Sequence, residues 1–171
     1  DYNSGDGMLT SVWGPSLWHF LHTISFNYPV NPSNDDKKHY KSYMMSLKHI
    51  LPCKYCRQNL RKNYKAVPLN KNALKNRDNF SRWMYNLHEH INKMLKKKSN
   101  LTYCDVRERY EHFRSRCTED KPKIVQMLKK ENGCVEPLYG KKSKCLLRIV
   151  PKEEKTETFK VDKKCIKQKL I

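Results

Sequence analysis

Two cysteines three apart, Cys53 and Cys56, stand in the stretch Leu51-Pro52-Cys53-Lys54-Tyr55-Cys56. Pro52 suits the first turn of a helix, because its missing N–H is one of the donors that a helix start leaves unpaired. Arg57, Gln58, Asn59, Leu60, Arg61 and Lys62 follow without a breaker, so a helix is expected over about 53–65 with the pair at its head. There the helix dipole, Lys54, Arg57 and Arg61 favour thiolate at both sulfurs. A thiolate is the species that attacks or leaves in disulfide exchange, which makes the pair a candidate redox centre. The same spacing also suits half of a zinc site or two buried cysteines. The elements on either side have to decide.

Residues 11–28 predict a first helix. Trp13, Leu17, Phe20, Leu21, Ile24 and Tyr28 recur at three and four, Pro15 lies early and Pro29 stops the run. Trp18 and His22 sit four apart on one side of it. Pro32 and Ser33 open a second helix, with Ser33 as N-cap and Asp36 three residues on. Its apolar face, Tyr40, Tyr43, Met44, Leu47 and Leu51, carries the chain straight to the cysteine pair. Residues 66–77 are polar and read as a loop.

A fourth helix is expected over 79–98, capped by Asp78 or Asn79 and striped by Phe80, Trp83, Met84, Leu87, Ile91, Met94 and Leu95. His88 and Asn92 lie beside that stripe. Lys93, Lys96, Lys97 and Lys98 crowd its C-terminal end, where cations complement the dipole and stand ready for a phosphate. Thr102 with Asp105 starts a fifth helix, 103–117, turning Val106, Tyr110 and Phe113 inward. Residues 1–118 thus form a helical domain. Residues 119–171 read as a small C-terminal extension: a charged linker, a short helix Ile124–Lys130 ended by Asn132-Gly133, and a β-hairpin of Cys145–Val150 with Thr156–Val161.

The chain has 36 Lys plus Arg against 17 Asp plus Glu, a net charge of +19. Residues 1–118 carry 21 basic and 9 acidic side chains, and 119–171 carry 15 and 8, so the charge is spread rather than gathered into a groove. Such spreading favours a lysine-rich surface over a nucleic-acid site, and suits polyanionic ligands. No apolar run is long enough to span a bilayer, and the polar start is unlike a signal peptide. Seven cysteines leave at least one thiol unpaired or joined to another chain. Cys104 and Cys117, thirteen apart on one predicted helix, would lie about 20 Å apart and could not bridge there. Cys145 and Cys165 flank the predicted hairpin and suit a structural bridge.

Taken together, Trp13-Gly14-Pro15-x-x-Trp18-x-x-Leu21-His22-Thr23, Tyr28-Pro29 and Pro52-Cys53-x-x-Cys56 resemble the FAD-linked sulfhydryl oxidases of the Erv/ALR type. So do Phe80-x-x-Trp83, Leu87-His88-x-x-Ile91-Asn92-x-x-Leu95 and Val106-x-x-Arg109-Tyr110, so that the likeness runs from about residue 11 to 117. The forms encoded by large DNA viruses are the most similar, which would place the protein in the host cytoplasm, in the virus factory, and in the virion.

The resemblance implies a mainly α fold, a four-helix bundle plus a short fifth helix, holding FAD in its mouth and usually paired as a homodimer. It implies that Trp18 and His22 line the flavin pocket with Tyr28 as a neighbour, and that His88 and Asn92 contact the adenosine half. Lys97 would then lie near the phosphates, and Tyr110 would stack on adenine. Cys56 would lie against the isoalloxazine and Cys53 would face the substrate, with no metal involved. Electrons would pass from protein thiols through Cys53 and Cys56 and FAD to oxygen, giving hydrogen peroxide.

Three departures stand out. Glu89 follows His88 where the family has Asn, Lys96 replaces a Gly, and Tyr85 and Tyr103 occupy the positions of a disulfide tying the fourth helix to the fifth. Two rivals remain at this stage. A basic zinc- or nucleic-acid-binding module would need a second ligand pair, and His88-x-His90 is an unusual spacing for one. The other rival is a helical interaction protein with structural cysteines.

Overall fold

A computed structural model describes residues 2–116, 133–157 and 159–166. Its helices are α1 (Thr10–Phe26), α2 (Asn34–Ile50), α3 (Lys54–Ala66), α4 (Arg77–Met94) and α5 (Tyr103–Glu111), followed by two short strands, β1 (Ser115–Arg116) and β2 (Glu136–Pro137). The chain divides into two compact units, Asp1–Val106 and Arg107–Ile171, with the junction inside α5.

In the first unit α1 packs on α4, α2 on α3, and α3 on α4. Phe80 is at the centre of the core, wholly buried, with the rings of Tyr28, Tyr40 and Trp83 4.8, 5.6 and 5.6 Å away. Met44, Met84, Leu21, Leu47, Leu60 and Leu87 fill the space around them. Aromatic residues bring polar tips into this core, and each tip is satisfied, as burial requires. Tyr28 donates to the Leu74 carbonyl at 2.9 Å, Tyr64 to that of Met44 at 2.8 Å, and Trp83 to that of Val67 at 3.2 Å.

The helix starts follow local chemistry. Ser33 and Asp36 form the expected capping box on α2. On α4 the cap is Asn76, whose side chain accepts from the Asn79 N–H at 2.9 Å, rather than Asp78 or Asn79. Asp78 instead lies in the first turn, where it binds Arg82 and accepts from the Tyr103 hydroxyl. Thr102 and Asp105 cap each other at the head of α5.

The fourth helix stops at Met94, four residues before the predicted end. Lys96 takes a left-handed conformation (φ 55°), its N–H bonding to the Lys93 carbonyl and that of Lys97 to the Asn92 carbonyl. This is the usual closure of a helix C-terminus, built here on a residue with a Cβ. Where α4 meets α5, Tyr85 and Tyr103 stand edge to face at 5.9 Å. Tyr85 donates to the Leu101 carbonyl, and the Tyr103 hydroxyl lies 2.8 Å from Ser81 Oγ. The guanidinium of Arg82 covers the Tyr103 ring at 4.0 Å.

The second unit departs most from expectation. Helix α5 ends at Glu111, not 117, and the chain leads into β1, which pairs antiparallel with β2 (Ser115 with Pro137, Arg116 with Glu136). The hairpin expected from Cys145–Val150 and Thr156–Val161 is not formed among the described residues. Leu146, Leu147 and Ile149 are exposed there, so the strand-like composition has no sheet face to cover. Cys145 and Cys165 are free thiols rather than a bridge. Cys165 ends a 3-10 turn, Lys163–Cys165, against which the backbone of Gly140 is packed. Phe159 anchors the unit's aromatic group, its ring 6.3 Å from Tyr110 and 6.1 Å from Phe113. Cys117, the charged linker and the Ile124–Lys130 helix lie outside the described residues.

Lys96 carries a conformational cost that glycine would avoid. Lys96→Gly is therefore expected to stabilise the protein by about 0.5–1 kcal/mol, read as a rise in the urea midpoint with an unchanged slope.

Candidate active site

Leu51, Pro52 and Cys53 join α2 to α3, so the redox pair lies where one helix ends and the next begins. Cys53 is the N-cap of α3, its sulfur accepting from the Cys56 N–H at 3.2 Å. Pro52 thus precedes the cap instead of occupying the first turn. Cys53 and Cys56 form a disulfide, with Cα atoms 5.1 Å apart. Both are half-buried, and Cys56 packs against the margin of the core. Two of the three predicted cations are drawn elsewhere: Arg57 donates to the Leu51 carbonyl and Arg61 reaches His49. The helix start, more than side-chain charge, is left to favour thiolate here.

An N-terminal arm runs beside the pair, a feature that sequence reasoning missed. Gly7 bridges to Cys53, and the Met8 N–H donates to the Pro52 carbonyl at 2.8 Å. Gly7 has φ 115°, and a Cβ on it would stand 2.7 Å from the Pro52 oxygen, so only glycine fits. Trp13 donates to the Met8 carbonyl at 3.1 Å and fastens the arm to α1. The available signal was Gly7 itself, in a polar stretch that resembles an unstructured end.

Just beyond the arm, Thr10 Oγ1 lies 3.7 Å from Cys56 Sγ. From there Thr10, Gly14, Trp18 and His22 recur every fourth residue, a ridge about 18 Å long by the helical rise. Gly14 on that ridge is buried, and a Cβ on it would meet only Thr10 Cγ2, at 3.5 Å. At the far end Trp18 stacks on His88, centroids 3.8 Å apart and planes within 3°. His22 Nε2 is 2.9 Å from His88 Nδ1. Helix α4 therefore brings His88, which the resemblance assigns with Asn92 to the adenosine half, against Trp18 and His22, which it assigns to the flavin.

Burial decides the charge of both imidazoles. His22 is pushed down to about 3 by burial, with the neighbouring His88 and His19 adding to it. His88 is pushed down to about 4, again by burial, with Glu89 opposing and Lys97 assisting. Both rings are neutral at pH 7. Glu89 turns toward its own helix end, accepting from Asn92 Nδ2 at 2.9 Å and Ser99 Oγ at 2.8 Å. Lys97 is exposed, within electrostatic reach of His88. A half-buried disulfide, neutral stacked rings and an exposed lysine suit a flat conjugated ligand with an anionic part.

Two further candidates lie elsewhere in the fold. Tyr28 is completely enclosed in the core with its hydroxyl committed to Leu74. Tyr110 stands in the second unit against Phe113 and Phe159. Among the described residues no three His, Cys, Asp or Glu side chains converge as a metal site. Nor is any helix among them long and apolar enough to cross a membrane.

Residues 15–114 match the Erv1 / Alr family. The chain belongs to the Erv1/Alr family. A mimivirus protein named as a probable FAD-linked sulfhydryl oxidase is 34% identical over 61% of this chain and 72% of its own length. The mitochondrial FAD-linked sulfhydryl oxidase of Saccharomyces cerevisiae is 31% identical over 49% of this chain, which spans 43% of that protein. An FAD-linked sulfhydryl oxidase of African swine fever virus is 29% identical and 70% covered. The crystal structure of the yeast Erv1 core superposes with a TM-score of 0.54 at 27% identity, over 61% of this chain and 86% of that one. The Erv1/Alr match contains the disulfide, Trp18 and His22 of the α1 ridge, His88 and Lys97, and ends before most of the second unit.

The neutral imidazoles make this Erv1/Alr chain acid-sensitive. Unfolded, both histidines take a proton near pH 6.5, whereas the folded state refuses it down to about 4 for His88 and about 3 for His22. The unfolded chain therefore binds more protons below pH 6.5, and stability falls as pH drops. About 2–3 kcal/mol for the pair is expected to be lost between pH 7 and 5, after allowance for the partial exposure of His88. Urea midpoints against pH should show the loss, and His88→Gln should flatten part of it. A midpoint constant from pH 7 to 5 would contradict this reading.

Proposed function

We infer that this chain is an FAD-linked sulfhydryl oxidase that makes disulfides in protein substrates. The observation that carries the reading is the Cys53–Cys56 disulfide at the head of α3, with Cys56 turned toward the ridge of α1. Family membership and the names of the relatives support it from outside the geometry.

The sulfur chemistry follows from position. A substrate thiolate attacks Cys53 Sγ, the sulfur whose residue is not packed on the core. The S–S bond breaks and its electron pair goes to Cys56 Sγ, which lies in the first turn of α3. A second substrate thiolate then attacks the substrate sulfur of the mixed disulfide. Cys53 leaves as thiolate, and the substrate departs with a new disulfide. The Cys56 N–H, already 3.2 Å from Cys53 Sγ, is placed to hold the charge formed there.

The residues present fit FAD. Gly14 puts no side chain on the ridge, Trp18 and His88 form a stack, and the neutral His22 and His88 bring no charge to desolvate. Asn92 and the exposed Lys97 stand at the end where an adenosine and its phosphates would lie. When bound, FAD supplies a two-electron acceptor for the reduced cysteines and a route onward to oxygen. Tyr28 is left out of this pocket because the core encloses it.

Oxygen as final acceptor, with hydrogen peroxide as product, is part of the same proposal. So is a homodimer: Phe20 on α1 and Tyr43 on α2 are half-exposed and meet edge to face at 6.5 Å, which offers a second copy an aromatic face. The mimivirus and African swine fever virus relatives support an origin in a large DNA virus, and a setting in host cytoplasm and virion is proposed with it.

The purified protein should show a flavin spectrum that bleaches with dithiothreitol, while consuming oxygen. Cys56→Ser should keep the flavin and lose thiol oxidation, and turnover near the parent's in that variant would reject the assignment. Lys97→Ala should retain less FAD through dialysis, and flavin content equal to the parent's would remove Lys97 from the phosphate site.

A further inference from the structure

Thr10 is assigned no role by the motifs that mark this site, yet its hydroxyl is 3.7 Å from Cys56 Sγ. In the disulfide that sulfur has no proton and can only accept, so the Thr10 O–H is the donor. The donor is held in place. Thr10 is the first residue of α1, the arm before it is tied down by Met8 to Pro52, and Trp13 closes over the Met8 carbonyl. Around it, the N-terminal turn of α1 has no acidic residue, and its cap Leu9 makes no side-chain bond. The positive end of α1 is thus uncompensated where it meets the sulfur. Two helix starts converge on Cys56, its own and that of α1.

We propose that Thr10 belongs to the redox site, donating a hydrogen bond that stabilises the Cys56 thiolate when the disulfide opens. This rests on the thiol-oxidase reading and adds to it a residue that sets how readily the pair is reduced. When the S–S bond breaks, its electron pair settles on Cys56 Sγ, and Thr10 keeps its proton, so the bond strengthens without proton transfer. Hydrogen bonds to charged acceptors exceed those to neutral ones, so the thiolate gains more from Thr10 than the disulfide does. The pair is accordingly easier to reduce, and Cys56 becomes the better leaving group on attack at Cys53.

The test uses the full chain carrying Cys53→Ser, which leaves Cys56 as a single thiol. Iodoacetamide labelling is followed against pH, with Cys56 read by peptide mass spectrometry because other cysteines react too. Thr10→Val, which keeps the shape and removes the hydroxyl, should move the Cys56 labelling profile to higher pH. Below its midpoint the rate should fall about three- to tenfold. Thr10→Ser should restore the parent profile. A Val profile matching the parent's overturns the proposal, and so does a Ser profile displaced as far as the Val one, since packing alone would then explain both. Thr10 is exposed at a helix start, and circular dichroism of the Val variant should equal the parent's; a lost fold would overturn the assignment in favour of a structural role. Failure of the oxidase reading itself would be seen separately, as a parent protein with no flavin and no oxygen uptake. The labelling profile requires neither.

Discussion

Three residues, Leu51, Pro52 and Cys53, carry the chain from the end of α2 into α3, and the working sulfurs depend on how firmly that corner is held. Its backbone groups are nearly all engaged. The Leu51 carbonyl accepts from Cys53 N–H and from Arg57, and the Pro52 carbonyl accepts from Met8. Proline brings no donor that would need a partner. A corner with its polar groups satisfied holds one conformation at low cost, and that fixes the direction in which Cys56 faces. The arm and the ridge of α1 then only have to be brought alongside.

Much of this arrangement could be read from residue order. The stripes on α1, α2 and α4 are strongly periodic, and burial against one another is the only outlet for so many aromatic side chains. Trp18 and His22 were legible as neighbours on one side of α1, whereas the contact of both with His88 emerges only from the packing of α4 on α1. Tyr28 shows the limit of transfer by resemblance. A tyrosine at a familiar position can fill a core as readily as a pocket, and only packing distinguishes the two.

What escaped the sequence was set by contacts far apart in the chain or by competition at helix ends. Asn76 outcompeted Asp78 as a cap because Asp78 had partners in Arg82 and Tyr103. The end of α4 depended on Lys96 accepting a conformation usually left to glycine. The β pairing of Ser115–Arg116 with Glu136–Pro137 joins short segments whose composition announces nothing. The arm was hidden for the same reason: Gly7 acquires meaning only beside Pro52.

The junction of α4 and α5 has a different consequence. Tyr85 and Tyr103 stand there, with Ser81, Asp78 and Arg82 around them, at the positions where the family resemblance implies a disulfide. Ring packing is indifferent to the redox state of its surroundings. In the first unit the bridged sulfurs are those of Cys53 and Cys56, and Cys104 is free. Reducing equivalents reaching this unit therefore meet one cystine, the one proposed to turn over. The packing of the first unit would then owe nothing to the sulfur bond that such a cycle opens and closes.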